Sequence, residues 1–158
     1  YLTDGALSKL AKWLRIIGYD AIVYPREAGR DMLNLAVAEK RIVLTRRRDM
    51  LKRQYSGQLY LVKGVNVGSQ LKEVVAEFAL PVRREKMFSI CLRCNEKLQP
   101  AEKDEVYNLV PSYVFANCDV FNKCPSCQRI YWEGTHRRNS LRFLEELSVY
   151  PQEKSLDT

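Results

Sequence analysis

The chain has 158 residues, of which 46% are hydrophobic and 28% charged, a composition typical of a folded protein with one ordinary domain or two small ones. No run of consecutive apolar residues is longer than four, so no membrane-spanning segment is predicted. The N-terminus lacks the apolar core of a secretory signal, which favours a cytoplasmic, intracellular protein. Because the sequence starts at Tyr1 without a Met, we expect a trimmed chain or part of a longer protein.

Basic residues are concentrated in the first half of the sequence. The net charge is +7, and residues 1–80 contain 14 Lys or Arg against 8 Asp or Glu. The densest basic run extends from Arg41 to Arg53 and contains one acid, Asp49. A basic surface attracts phosphates and is typical of nucleic-acid-binding proteins. The same charge is equally compatible with a solvated surface that keeps the protein soluble.

The first residues predict a strand, a helix and a second apolar run. Residues 2–3 resemble the end of a strand. Over residues 7–17 the apolar side chains follow the i, i+3, i+4, i+7 spacing of one helix face, and Gly18 stands where this helix ends. Residues 21–24 form a short apolar run that is followed by Pro25.

Alternating strand and helix signals continue along the chain. A helical pattern follows Asp31, and residues 41–45 are rich in β-branched side chains and predict a strand. Residues 58–63 predict another strand, after which Ser69 is expected to cap a helix that Pro81 ends. Strands that alternate with helices of this length indicate βαβ units. We therefore predict an α/β fold with a parallel sheet flanked by helices.

The composition changes in the second half of the chain. Residues 82–90 form a charged connector, and the chain from there to about Trp132 is rich in Cys, Asn, Pro and Lys without a long periodic segment. A last helix is predicted over residues 138–147. The expected organisation is an α/β domain at residues 1–82 and a small domain with this C-terminal helix at residues 83–158.

The second domain contains two Cys-x-x-Cys pairs, Cys91 with Cys94 and Cys124 with Cys127. Each turn of this type lets two thiolates bind one ion, and two turns complete the tetrahedral site of a structural zinc. The segment has few apolar residues, and zinc binding contributes roughly 10–16 kcal/mol to the folding of such small domains. Two disulfides or a redox dithiol are the alternatives. The missing secretory signal argues against disulfides, and a redox dithiol needs no second pair.

Two other residues of this domain leave alternatives open. Cys118 is either a substitute ligand or a small buried apolar residue, and its spacing from Cys124 favours the second role. His136, the one histidine, either contacts a nucleic-acid phosphate or base, or lies at a helix start where local hydrogen bonds satisfy it.

Asp4 lies where the first strand ends and the first helix begins. The carboxyl ends of parallel strands are where ligand sites gather, and a carboxylate there is suited to Mg²⁺ or Mn²⁺. An Asp at this position equally well caps the helix. Both roles are open for Asp4.

Stretches near both ends of the chain together resemble one protein family. They are residues 4–7, 10–15, 18–20 and 41–46, the two Cys-x-x-Cys turns, and residues 131–132 and 134–136. The family is the RNase domain named after the C-terminal part of the Mut-seven exonuclease. The resemblance extends from Tyr1 to about Leu147. It implies a PIN-like nuclease fold followed by a zinc ribbon, with RNA as the ligand or substrate and phosphodiester hydrolysis by divalent metal ions on carboxylates.

The resemblance also implies roles for particular residues. Asp4 matches the first acidic position of such sites, and Thr45 matches the Thr that ends the third strand. Two residues after that Thr, the family pattern has an Asp where this chain has Arg47. Asp49 matches a second acid of related PIN-like sequences, whereas Asn66 stands where an acid is common.

Arg47 changes the chemistry that the family pattern implies. A two-metal hydrolase holds its cations about 3.5–4 Å apart with anionic ligands, and a permanent positive charge at a ligand position repels them. Arg47 is alternatively suited to bind an RNA phosphate through two parallel hydrogen bonds. That role would retain affinity for RNA while weakening cleavage.

Two functions therefore compete. The first is a metal-dependent ribonuclease with Asp4, Asp31 and Asp49 as catalytic carboxylates and Mg²⁺ or Mn²⁺ as cofactor. The second is a non-catalytic RNA-binding or protein-docking module, linked to a nuclease domain in a longer chain, and a protein-interaction scaffold is a third alternative. RNA, expected to be single-stranded, is predicted to contact six residues: Lys12, Arg15, Arg46, Arg47, Arg48 and His136.

Overall fold

A computed structural model describes residues 1–150 of the chain. The chain forms two compact units, of which the first extends from Tyr1 to Met87 and the second starts at Phe88. The sequence placed the boundary at residue 82. The connector that follows this residue belongs to the first unit, where its short 3-10 helix Arg84–Lys86 lies against Gly18.

The first unit contains a four-stranded sheet and three α-helices. The strands are parallel and lie in the order β2-β1-β3-β4, which confirms the predicted α/β fold with a parallel sheet. The elements are β1 Leu2–Thr3, α1 Ser8–Ile16, β2 Ile22–Val23, α2 Arg30–Ala38, β3 Val43–Thr45, β4 Leu59–Leu61 and α3 Val67–Glu77.

The strand order explains where the helices pack. The connection from β1 to β2 and the connection from β2 to β3 run in opposite directions, so right-handed crossovers put α1 and α2 on opposite faces of the sheet. Met32, Leu33 and Ala36 of α2 are buried against Leu2 and Val43 of the sheet. On the other face, α3 contacts α1.

The start of α3 differs from the sequence prediction. Asn66, not Ser69, is the N-cap: its side-chain oxygen accepts a hydrogen bond from the Ser69 N–H at 2.9 Å. Ser69 Oγ in turn accepts from the Asn66 N–H at 3.2 Å, which completes a capping box. The sequence prediction failed because both residues are good capping residues and the box uses them together.

Within residues 88–150, the second unit contains a small antiparallel sheet and two α-helices. The strands β5 Gln99–Ala101, β6 Phe121–Lys123 and β7 Ile130–Trp132 lie in chain order, with α4 Ser112–Asn117 between the first two. The last helix, α5 Thr135–Glu146, begins after Gly134, three residues earlier than the sequence predicted. The core of this unit is small and consists of Val106, Val110, Val114 and Phe121 with partly buried neighbours.

Among residues 1–150, no helix has both the length and the apolar character needed to cross a bilayer.

Gly18 is held in a conformation that other residues rarely adopt. Its φ angle is 91°, and a Cβ atom at this position would overlap the backbone carbonyl group of Lys86. We expect Gly18→Ala to destabilise the first unit by about 2 kcal/mol, measured as the opening free energy of α1 amides by hydrogen exchange.

The matched control is Gly5→Ala, because nothing lies within 4 Å of a Cβ atom at Gly5. This variant should keep the stability of the original chain. Equal opening free energies for the two variants would contradict the assignment of the close approach between Gly18 and Lys86.

Candidate functional site

The four predicted zinc ligands converge in the second unit. The sulfur atoms of Cys91, Cys94, Cys124 and Cys127 all lie within 4.8 Å of one another, and those of Cys91 and Cys127 are 3.7 Å apart. Among residues 1–150, no other group of three or more His, Cys, Asp or Glu side chains converges in this way. Four thiolates in one cluster match the ligand set of a structural zinc ion.

The two Cys-x-x-Cys turns have the same backbone geometry. In the first, the Asn95 N–H donates to the Cys91 carbonyl at 2.9 Å and the Cys94 N–H donates to the Cys91 sulfur at 3.4 Å. In the second, the Gln128 N–H donates to the Cys124 carbonyl at 3.0 Å. Asn95 and Gln128 both have positive φ angles, 62° and 61°. Each turn therefore presents its two sulfurs side by side, as binding of one ion requires.

The pKa values of the clustered thiols also favour a cation at this site. Burial by itself would raise the pKa of the Cys91 thiol, but hydrogen bonds from Tyr131 and from the backbone N–H groups of Cys94 and Arg93 lower it to about 6. Hydrogen bonding with Cys127 raises the pKa of Cys94 to about 12. Sulfurs in contact cannot all be negatively charged unless a cation lies between them, so this ligand set fits zinc.

Cys118 lies outside the cysteine cluster. Its sulfur is 3.8 Å from the carbonyl oxygen of Glu133, and the side chain packs against the small core of the second unit. Cys118 thus occupies the position of a small apolar residue.

Asp4 is buried at the carboxyl edge of the parallel sheet, with 4% of its surface exposed. Its Oδ2 accepts hydrogen bonds from Thr45 Oγ1 at 2.6 Å and from the Arg46 N–H at 2.9 Å. Its Oδ1 is buried and has no hydrogen-bond partner. The side chain makes no capping hydrogen bond to the 3-10 helix Gly5–Leu7 that follows it. One carboxylate oxygen is therefore fixed and the other is unsatisfied.

This position coincides with the switch point of the sheet. β1 and β3 are neighbours, but β1 connects to β2 on one side and β3 connects to β4 on the other. Ligands of parallel α/β sheets bind in the crevice that such a reversal opens at the carboxyl ends of the strands. Asp4 follows β1 and Thr45 ends β3, so both lie at the base of the expected crevice, where Thr45 is fully buried and Asp4 is nearly so. An unsatisfied buried carboxylate oxygen is costly, and a bound cation would relieve that cost.

Arg47 binds two carboxylates beside Asp4. Its Nε and Nη2 donate to Asp49 Oδ1 at 2.9 Å and Oδ2 at 3.0 Å, and its Nη1 donates to Glu27 Oε1 at 2.8 Å. The Arg47 N–H donates to Thr45 Oγ1 at 3.0 Å. We call Arg47, Asp49 and Glu27 the arginine network. It is linked to Asp4 through the Thr45 hydroxyl.

The arginine network restricts what Asp49 can do. Hydrogen bonding from Arg47 lowers the pKa of Asp49, and the same contact raises the pKa of Arg47. Both Asp49 oxygens are engaged by the guanidinium, so Asp49 fits a metal ion less well than Asp4 does. The guanidinium is equally occupied, which leaves it poorly placed for the predicted phosphate contact.

The other acidic candidates lie on neighbouring elements. Asp31 is exposed in the first turn of α2, and the sequence had placed it just before that helix. Asp4, Asp31 and Asp49 do not form a converging group, and their catalytic roles stay predictions. Sequence reasoning missed Glu27. The available signal was its place in the loop after β2, since that loop lies at the same sheet edge as Asp4.

The predicted RNA-binding residues have different surroundings. Lys12 and Arg48 are exposed, and His136 is exposed in the first turn of α5. Arg15 is buried, with 7% exposure, and its Nε donates to the Ala21 carbonyl at 2.7 Å. Arg15 thus joins α1 to the residue before β2, and this position argues against a phosphate contact.

Arg46 supports the turn after β4. Its guanidinium donates to the carbonyl oxygens of Gly64 and Lys63, and the N–H groups of the same two residues donate to the Glu73 carboxylate of α3. Tyr60 also donates to Glu73, and burial together with this carboxylate raises the pKa of Tyr60 to about 12. The turn after β4, at residues 63–64, is therefore held by Arg46 through its carbonyl groups and by α3 through its N–H groups.

The chain thus combines two kinds of unit. The first is a parallel α/β unit with a buried carboxylate at its switch point, and the second has four converging cysteines that fit a metal ion. The sequence of residues 1–144 matches the family model of the Mut7-C RNAse domain. The chain therefore belongs to this family, as the sequence resemblance indicated. Its function is of the RNase type in general, and RNA is the substrate class that the family indicates. No curated protein and no solved structure matches the chain significantly.

We expect one zinc ion per chain, with Zn–S distances of about 2.3 Å, because the four sulfurs already converge. Cys124→Ser should lose the ion and unfold the second unit, whose core is small, while the amides of α1 to α3 stay protected. Elemental analysis and residue-resolved hydrogen exchange measure the two effects. A zinc content well below one per chain, in protein purified without chelator, would contradict this assignment.

Proposed function

We propose that the chain is a divalent-metal-dependent ribonuclease domain in which Asp4 binds the cation. The observation that carries this proposal is the buried Asp4 carboxylate, with Oδ2 fixed by Thr45 and the Arg46 N–H and with Oδ1 unsatisfied. Mg²⁺ and Mn²⁺ prefer oxygen ligands of this kind. When bound, such a cation polarises a phosphodiester and lowers the pKa of an attacking water molecule.

The residues around Asp4 position it for this task. The Thr45 hydroxyl donates to Asp4 and accepts from the Arg47 N–H, so β3 and the following loop hold the carboxylate in one orientation. Asp31 and Glu27, on elements that follow β2, are the candidates for further acidic groups. The four-cysteine unit is proposed to hold a zinc ion with a structural role, which suits a reducing, intracellular compartment.

Single-stranded RNA is proposed to bind along exposed basic residues of the first unit. Arg48 and Lys52 lie on the 3-10 helix Arg48–Lys52, which follows β3 and starts at the carboxyl edge of the sheet. Lys12 is exposed on α1, which starts at the same edge. Their charges would attract the phosphates toward the crevice that contains Asp4.

A second function has an observation of its own in favour. In the arginine network, one guanidinium pairs with the carboxylates of both Asp49 and Glu27 and occupies oxygen atoms that a cation beside Asp4 would otherwise bind. Carboxylates held by a guanidinium are poor ligands for a second cation, which fits a catalytically degenerate module that binds RNA or docks onto a linked nuclease. The two functions share RNA binding and differ in cleavage.

The Asp4→Asn variant tests the metal site. The amide oxygen can still accept from Thr45 and the Arg46 N–H, so the fold should be kept. Loss of the anionic ligand should reduce Mg²⁺- or Mn²⁺-dependent cleavage of labelled single-stranded RNA by about 100-fold or more. EDTA should reduce cleavage by the original chain to the same level.

Arg47→Asp is measured in the same assay. It replaces the guanidinium with a carboxylate and releases Asp49 and Glu27, so cleavage should rise above that of the original chain if Arg47 limits it. Lys40→Asp makes the same charge change before β3, at the opposite edge of the sheet, and should leave cleavage unchanged. If Asp4→Asn and Arg47→Asp both leave cleavage unaltered, the domain is a binding module.

RNA affinity should depend on the exposed basic residues. Arg48→Glu combined with Lys52→Glu should weaken single-stranded RNA binding and reduce the slope of log K against log salt by about 1.4, because each lost phosphate contact removes about 0.7. Lys40→Glu with Lys72→Glu is the charge-matched control and should keep the slope. Equal affinities for both double variants would identify the basic run as a solvated surface.

A further inference from the structure

The hydroxyl group of Tyr131 lies between two atoms of the first Cys-x-x-Cys turn. Its oxygen is 3.1 Å from the Cys91 sulfur and 3.1 Å from the Leu92 backbone nitrogen. Tyr131 itself belongs to β7, the strand that follows the second Cys-x-x-Cys turn. One hydroxyl therefore connects the two halves of the zinc site without being a ligand.

The chemistry of the donors fixes the direction of both hydrogen bonds. A backbone N–H can only donate, so the Tyr131 oxygen accepts from Leu92. The single hydroxyl proton of Tyr131 is then available for the Cys91 sulfur. Cys91 already accepts from the Cys94 N–H at 3.4 Å, so its sulfur has one donor from its own turn and one from β7.

The alternation of β7 explains why Tyr131 reaches this position. Ile130 and Trp132 pack against the small core of the second unit. Successive side chains of a strand point to opposite faces, so Tyr131 points away from that core and toward the first Cys-x-x-Cys turn. In β7, Ile130 and Trp132 thus contact the core, and Tyr131 contacts the cysteine cluster.

We propose that Tyr131 is a positioning residue for the zinc site, acting through its hydroxyl on the Cys91 thiolate. Four thiolates around one Zn²⁺ leave a net charge of −2 at the site, which hydrogen-bond donors to sulfur disperse. The hydroxyl also holds Cys91 and the Leu92 backbone at a fixed distance from β7, so the first turn is oriented before the ion binds. Partners of this kind affect metal affinity by about 10–100-fold.

Tyr131→Phe isolates the hydroxyl from the ring, because Phe keeps the same packing. In the full chain, competition with a chromophoric zinc chelator should give a zinc affinity about 10–100-fold below that of the original protein. The control is Tyr113→Phe, which removes a hydroxyl from a side chain of the same unit that is 71% exposed and should leave the affinity unchanged.

A second measurement separates the hydrogen bond from general stability. When Co²⁺ replaces Zn²⁺, the sulfur-to-cobalt charge-transfer band should move to longer wavelength in Tyr131→Phe, since a thiolate without its donor holds its electrons less tightly. A purely structural role of Tyr131 would leave this band in place. Zinc affinity within twofold of the original protein together with an unmoved band would overturn the proposal.

If Tyr131→Phe fails to fold, the hydrogen bond from Tyr131 to Cys91 can be tested in the wild-type protein. After loading with an NMR-active cadmium isotope, a scalar coupling between the metal and the Tyr131 hydroxyl proton would support the hydrogen bond to Cys91. A visible hydroxyl proton without that coupling would overturn it.

Discussion

The hydrogen bond between Thr45 and Asp4 joins the carboxyl ends of the two central strands of the first unit. Both residues are buried, so neither polar group can exchange its partner for water without a cost. Thr45 also accepts the Arg47 N–H, and Arg47 in turn binds the loop after β2 through Glu27. The crevice, its carboxylate and the neighbouring charges are thus organised around one hydroxyl group.

The second unit depends on a different constraint. Its apolar core is small, and the two irregular cysteine turns lie outside that core and converge through their four sulfurs. Residues with positive φ after each turn and a tyrosine hydroxyl between the halves supply the local geometry, and a metal ion would supply the free energy. With a metal ion bound, the two units would owe their stability to different terms, burial of apolar surface around a parallel sheet in the first and metal coordination in the second.

The helix α1 and each Cys-x-x-Cys pair could be predicted from spacing within a short stretch, and the parallel sheet from the alternation of strand and helix signals. The hydrogen-bond partners of single charged side chains escaped prediction. Arg15 resembles a surface cation in the sequence, yet a carbonyl group of the chain before β2 draws it into the interior. Glu27 joins the site only because Arg47, twenty residues away in sequence, has hydrogen-bond donors left after binding Asp49. Charge type can be read from a sequence, but the choice of partner is made by the fold.

The charges of the arginine network determine which solution conditions could break its ion pairs. The pKa of Asp49 is lowered and that of Arg47 is raised, so the folded chain keeps this pairing above the ordinary pKa of Asp and loses it only as the pH falls through the lowered value. Mild acidification thus leaves the Arg47–Asp49 pair intact. Both groups are solvent-accessible, so dissolved ions and the phosphates of a polyanion compete with it directly. The Arg47–Asp49 pair beside Asp4 is in this sense governed by ionic composition rather than by mild acidification.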